Sequence, residues 1–149
     1  MNVVDLIQYR IRLAQGFLIE AEQDFALERW RSCVDNSQLA VENAGKTVLA
    51  LFGIIPKTHD PAQQIARILR ERNLPASTRE LMQQFLPDLL ALGSTEHFLT
   101  DYGDEVAYKL PWDLFDKDSA FDALQAARHS VESARSIIQA HDRSHTDPR

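Results

Sequence analysis

Residues 30–53, WRSCVDNSQLAVENAGKTVLALFG, decide the fold. Trp30, Val34, Ser37, Val41, Ala44, Val48 and Leu51 recur at steps of three and four, the rhythm that stacks side chains along one side of an α-helix. Gly53, with Pro56 beyond it, marks the end, because glycine accepts the left-handed turn that closes a helix and proline cannot continue one. The small residues Ser37, Ala40 and Ala44 leave room for a second helix to approach closely.

The segment before it supplies that neighbour. Val4, Ile7, Ile11, Ala14, Leu18, Ala21 and Phe25 form a second stripe of the same period, without strand alternation. Asn2 is placed to cap its start, and Asp5 lies near the positive end of the helix dipole. The connection near Glu28 is short, which predicts an antiparallel helical hairpin, and about three heptads are too few for an extended coiled coil.

Downstream, THDPAQQIARILRER (58–72) predicts a short third helix capped by Asp60, with Pro61 at its first position and Asn73, Leu74 and Pro75 as the stop. Ser77-Thr78-Arg79-Glu80 has the spacing of a capping box and predicts the start of a fourth helix, which Pro87 should break or kink before it resumes towards Thr100. YGDEVAYKLPWDLFDK (102–117) lacks any period and predicts an ordered loop anchored by Trp112 and Phe115. Asp118 or Ser119 should cap a last helix with Phe121, Leu124, Ala127, Val131, Ala134 and Ile138 inward, and residues 142–149 should fray. The expectation is an all-α, up-and-down bundle of four to five helices forming one domain over residues 1–141.

At 149 residues with 44% apolar and 26% charged side chains, the chain can close a core and needs no second domain. One cysteine, Cys33, allows no intrachain disulfide and fits a buried thiol in a periodic apolar segment. The opening MNVVDLIQYRIRLAQGF lacks a basic leader and has Arg10 and Arg12 where a signal core would lie. No run approaches the roughly 18 apolar residues of a membrane span. A cytoplasmic protein without a membrane partner is expected. The net charge of −6 argues against broad binding to a phosphate backbone. Charge is uneven, however: Lys57, Arg67, Arg70, Arg72 and Arg79 face three acids in residues 57–80, whereas residues 81–122 hold nine acids against Lys109 and Lys117. The arginines could form a basic strip for phosphates or a solvated helix face.

Ala40, Glu42, Lys46, Gly53, Pro56, Thr58, His59 and Asp60, followed by the YGDE and PWDLF stretches and the alanine-rich DSAFDALQAARHSVESA, resemble the HEPN family, in a prokaryotic branch, over roughly residues 10–140. That resemblance implies a dimerising helical bundle and a function among nucleotide or RNA binding, partnership with a minimal nucleotidyltransferase in toxin–antitoxin pairs, and metal-independent RNA cleavage. The cleaving branch uses Arg-x4-6-His, the histidine moving protons and the arginine steadying phosphate charge. Arg135 and His141 have that spacing, but at the end of the last helix, and Thr100 and Asp101 stand where family members often carry a base before the tyrosine.

Other constellations have structural readings beside functional ones. His59-Asp60 could orient an imidazole, although a turn residue and a cap explain both. Glu42 and Lys46 are four apart and should pair on a helix face for a few tenths of a kcal/mol. Asp101, Asp104 and Glu105 beside Tyr102 could hold a hard cation or receive a basic partner, or form a solvated turn. Gly45-Lys46-Thr47 matches the end of a P-loop without its upstream glycine. No zinc spacing exists and no cofactor is implied. The expected protein is a non-catalytic HEPN-like homodimer whose groove or basic strip (Arg67, Arg70, Arg72, Arg79) meets a nucleotide, RNA or a nucleotidyltransferase, with Glu42, Lys46, His59, Arg67, Arg70, Tyr102 and Asp104 as contact candidates. The alternatives are a divergent ribonuclease pairing Arg135 and His141 across a dimer, and a purely structural dimer.

Overall fold

A computed structural model describes residues 2–54, 61–92 and 101–146. Within them the chain forms α1 (Val3–Ala26), α2 (Trp30–Leu51), α3 (Ala62–Glu71), α4 (Ala76–Ala91), a single-turn α5 (Pro111–Leu114) and α6 (Lys117–Thr146). The all-α bundle expected from periodicity is therefore present. Asn2 caps α1 as predicted, its side-chain oxygen accepting from the Asp5 amide at 2.8 Å. The α1–α2 hairpin turns through Glu28, which takes φ 58°.

Helix α2 is the axis of the bundle, packing against α1, α3, α4, α5 and α6. Val34, Val41, Val48 and Leu49 are buried along it, each side chain gaining roughly 1.5–3 kcal/mol from leaving water. Gly45, which sequence alone relates to a P-loop, is explained by packing: a β-carbon there would strike the Pro61 ring and approach Leu89 Cδ2 to 3.0 Å. Thr47 beside it donates its hydroxyl back to the Asn43 carbonyl at 2.7 Å. Cys33 is fully buried, and burial pushes its thiol up to about 11.

Several local expectations are corrected. The Ser77 capping box is unused, since α4 already begins at Ala76 behind Pro75 and makes no side-chain cap. Pro87 does not end α4; it lies on the exposed face, where water can satisfy the carbonyl that its missing N–H leaves behind. Asp116, rather than Asp118 or Ser119, caps α6: its carboxylate accepts from the Ser119 amide and the Ser119 hydroxyl accepts from the Asp116 amide, both at 2.9 Å. Those hydrogen bonds hold the Asp116 carboxyl below its ordinary range. Phe115 packs against the core, but Trp112 is 68% exposed and stays outside it. The stripe ends Val4 and Phe121 are exposed, and Ala120 and Ile137 are buried on α6 instead. Helix α6 runs on to Thr146, past the predicted onset of fraying. Pro56, Thr58, His59 and the predicted cap Asp60 lie outside the described residues.

Candidate functional site

At its C-terminal end α2 stops with Phe52, whose amide donates to the Leu49 carbonyl at 3.0 Å, and with Gly53 at φ +75°, a backbone state that glycine adopts without penalty. The turn leaves the Phe52 ring half-buried between two other elements. From the α3–α4 corner comes Arg72, its guanidinium carbon 5.5 Å from the ring centroid. From α6 comes His141, its imidazole edge-on to the same ring with centroids 5.9 Å apart and planes at 70°. The three side chains, with Asn73, Leu74 and Thr78, line a cleft of about 420 Å³, within the size range of small-molecule sites.

The corner that delivers Arg72 is held by another arginine. Arg79 donates to the Leu69 carbonyl at 2.7 Å and to the Arg72 carbonyl at 2.8 Å, closing the open end of α3 with a charged donor. Thr78, one residue earlier on α4, is 2% exposed, and its hydroxyl has no hydrogen-bond partner among the described residues. Such a group ordinarily costs about 1–3 kcal/mol. A guanidinium and an imidazole against one aromatic ring, with Asn73 and the buried Thr78 in the same lining, provide donors for an anion and an apolar face for what carries it.

The residues that sequence singled out fall in different places. The basic strip divides: Arg67 pairs with Glu71 at 3.1 Å on the exposed face of α3, Arg70 is exposed, Arg72 enters the cleft, and Arg79 is spent on carbonyls. Glu42 and Lys46 pair at 3.9 Å, but almost wholly buried at mid-α2 rather than on an open helix face. Removing one partner of such a pair strands a charge, a far larger matter than a surface i,i+4 contact. Tyr102 is exposed, and Asp104 serves a tight hairpin, exchanging backbone hydrogen bonds with Lys109 at 2.9 Å and accepting from the Ala107 amide at 3.2 Å. Among the described residues, no three His, Cys, Asp or Glu side chains gather as metal ligands. His59 lies outside the described residues.

Arg135 and His141 are not brought together within the chain. Six residues at roughly 100° each put them about 120° apart around α6. Arg135 lies with Gln8, Arg12 and Gln139 against α1, while His141 faces Phe52. Sequence reading missed Phe52, Asn73 and Thr78 as lining residues, and it missed the contact of His129 Nδ1 with the Asp88 carboxylate, which ties α6 to α4. No motif marks either group; the one available signal was a threonine on the inward side of a helix whose capping role it did not need.

Comparison with known proteins gives a consistent picture. The HEPN domain model matches residues 7–142. A protein of Methanocaldococcus jannaschii named "Putative toxin MJ1304" is 24% identical over 141 residues, covering 88% of this chain and 91% of its own. The crystal structure of TT1696 from Thermus thermophilus superposes with a TM-score of 0.67 at 17% identity, covering 88% of this chain and 97% of the other, which establishes likeness of fold.

Proposed function

The chain belongs to the HEPN domain family, and from that premise we propose that it is a non-catalytic binding module, working in a toxin–antitoxin pair, whose Phe52–Arg72–His141 cleft takes an RNA phosphate or a nucleotide. The observation that carries this reading is the buried Thr78 hydroxyl, without a partner among the described residues, in a cleft that already holds a guanidinium and an imidazole. A buried donor without a partner has a reason to persist when a ligand supplies the partner. The toxin name of the Methanocaldococcus relative supports placing the module in a toxin–antitoxin setting, with a nucleotidyltransferase as the expected partner. A homodimer, cytoplasmic in location, completes the reading.

Isothermal titration with nucleotides and short RNAs tests it. Wild type should release heat, and Arg72→Ala and His141→Ala should each weaken binding about tenfold, a loss of roughly 1.4 kcal/mol. No heat from wild type, together with no nucleotidyltransferase recovered on co-purification, ends the proposal. The ribonuclease reading requires a second protomer to carry Arg135 to the His141 of the first, because one chain separates them. An RNA cleavage assay decides it: cleavage by wild type that His141→Ala abolishes would replace the binding reading with the enzymatic one.

A further inference from the structure

Helix α1 carries a second apolar row on its outer side, which no part of the reading above uses. Tyr9, Leu13 and Phe17 follow one another at steps of four, and Arg12, Gly16 and Glu20 form the neighbouring row. Together the six line an open groove of about 320 Å³, and every one of them belongs to α1. Tyr9 is 50% exposed, Leu13 is half-buried outside the core cluster, and Phe17 is half-buried against it. Gly16 lies at the middle of this face. A glycine inside a helix is less stable than an alanine there, so its presence needs a reason. At Gly45 the fold gives one, since a β-carbon would strike Pro61, whereas at Gly16 a β-carbon meets no atom within 4 Å among the described residues. A missing side chain under open space is a notch, and it lets a second backbone come close.

Charge is left open on both sides of the notch. Arg12 and Glu20 are exposed, and neither has an ion-pair partner among the described residues. Arg12 also lies beside Arg135 in the seam between α1 and α6, where the other lining residues are glutamines and isoleucines. Two guanidiniums with no acid between them repel, and a carboxylate supplied from outside would relieve both. Arg12 and Glu20 stand four residues either side of Gly16 in one i±4 row, so the face is complementary to itself. When two such rows pack, the commonest crossing angle is about −50°, which lays the rows along each other. Run in opposite directions through Gly16, they bring each Arg12 to the carboxylate that its seam lacks.

We propose that the homodimer of the preceding reading, on which this inference rests, forms through the outer face of α1: two copies cross antiparallel at Gly16, and each Arg12 pairs with the partner's Glu20. Leu13 and Phe17 of the two copies close beside the crossing, and the apolar area they remove from water drives association. The crossing also bears on the ribonuclease alternative. Arg128 pairs with Glu22 at 3.6 Å and Arg135 lies beside Arg12, so α6 runs antiparallel to α1 and carries His141 beyond Arg135 towards the N-terminus of α1. Each His141 and the partner's Arg135 therefore fall on opposite sides of the dyad, roughly 20 Å apart along α1. The interface holds two binding modules together without assembling an Arg–His pair.

Sedimentation velocity of the full chain tests it. Wild type should sediment as a dimer at micromolar concentration. Arg12→Glu and Glu20→Arg should each raise the dissociation constant by about a hundredfold or more, because each sets two like-charged pairs across the crossing. Mixing these two variants in equal amounts should restore a heterodimer within about tenfold of wild type, since every pair across the crossing is again of opposite sign. Gly16→Leu should be a folded monomer, because its side chain enters open space within the chain and blocks only the crossing; far-UV circular dichroism checks the fold. The outcomes separate the surface from the homodimer itself. A wild-type dimer that all three substitutions leave intact uses another face and overturns this proposal alone. A wild-type monomer overturns the homodimer and its surface together. A monomer that gains mass only with a nucleotidyltransferase, and not in Gly16→Leu, gives the face to a different partner and likewise overturns the proposal. Charge variants that dissociate but do not rescue each other overturn the Arg12–Glu20 pairing.

Discussion

The two ends of α2 are built on the same device and differ in what surrounds it. At each, an arginine lies over an aromatic ring: Arg31 over Trp112 at 5.8 Å, and Arg72 over Phe52 at 5.5 Å. At the N-terminal end the ring is exposed and a second tryptophan stands beside it, so the surroundings are broad and aromatic. At the C-terminal end the ring is half-buried, an imidazole meets its edge, and an asparagine and a threonine with an unmet hydroxyl line the same cleft, so the surroundings are polar. A cation over a ring contributes only about 0.5–1 kcal/mol at an exposed site. The neighbours, not the shared pair, thus give each end its chemistry.

What joins the ends is the rigid middle of α2, and the largest expected effect comes from breaking it. Gly45→Leu would drive a side chain into Pro61 and Leu89, costing about 3 kcal/mol by overpacking. Thermal melting should show the loss, with tryptophan emission from the N-terminal end and ligand response at the Phe52 cleft changing together. If one changed without the other in the destabilised variant, the two ends would not share a single cooperative unit.

A pH experiment looks at the N-terminal side. Cys33 lies one turn into α2, sealed against α6 with its thiol 3.7 Å from the Ala120 carbonyl, and burial raises its pKa from the ordinary 9.0 to about 11. The folded state therefore holds the proton more tightly than the unfolded one. Stability from this thiol is complete below pH 9 and declines as pH rises through about 11, by on the order of 2 kcal/mol. Denaturant melts of wild type and Cys33→Ala between pH 7 and 11 isolate it, since the difference between them should shrink with rising pH. A constant difference would mean that the thiol titrates as it does in the unfolded chain.

Arg79→Ala acts at the other end. It removes two hydrogen bonds to the Leu69 and Arg72 carbonyls and should cost about 1–2 kcal/mol, because the donor is charged but only half-buried. It should also loosen Arg72 and lower RNA affinity at the Phe52 cleft without touching tryptophan emission from the N-terminal end. A change in both would contradict the separation of the two ends.

The sequence was legible where one period governs many residues. The stripes of α1 and α2 and the Asn2 cap can be read directly, because each residue's role is set by near neighbours. Prediction failed where a residue's partner is remote. Ser77 has the right spacing for a capping box, but Pro75 starts α4 sooner. Trp112 reads as an anchor until the fold places it on an exposed turn beside Arg31. Arg79 reads as part of a basic strip until its guanidinium meets the carbonyls of a preceding helix. Of the C-terminal cleft, Arg72 and His141 were visible as chemistry-bearing types, but nothing in the sequence says that they share one phenylalanine.

The smallest expected effect is the most discriminating. Thr78→Val keeps the shape of the side chain and removes a hydroxyl that has no partner among the described residues, so it should raise stability by about 0.5–1 kcal/mol in thermal or denaturant melts. Most buried substitutions destabilise, and a gain here would identify the hydroxyl as a cost that the cleft imposes on the fold. The same variant should bind RNA or nucleotide at the Phe52 cleft less tightly, because the ligand loses the group that awaits it, while tryptophan emission from the N-terminal end stays unchanged. If Thr78→Val lost stability instead, the hydroxyl would be serving the fold, and the C-terminal end would have no more claim to a ligand than its shared Arg–aromatic pair provides.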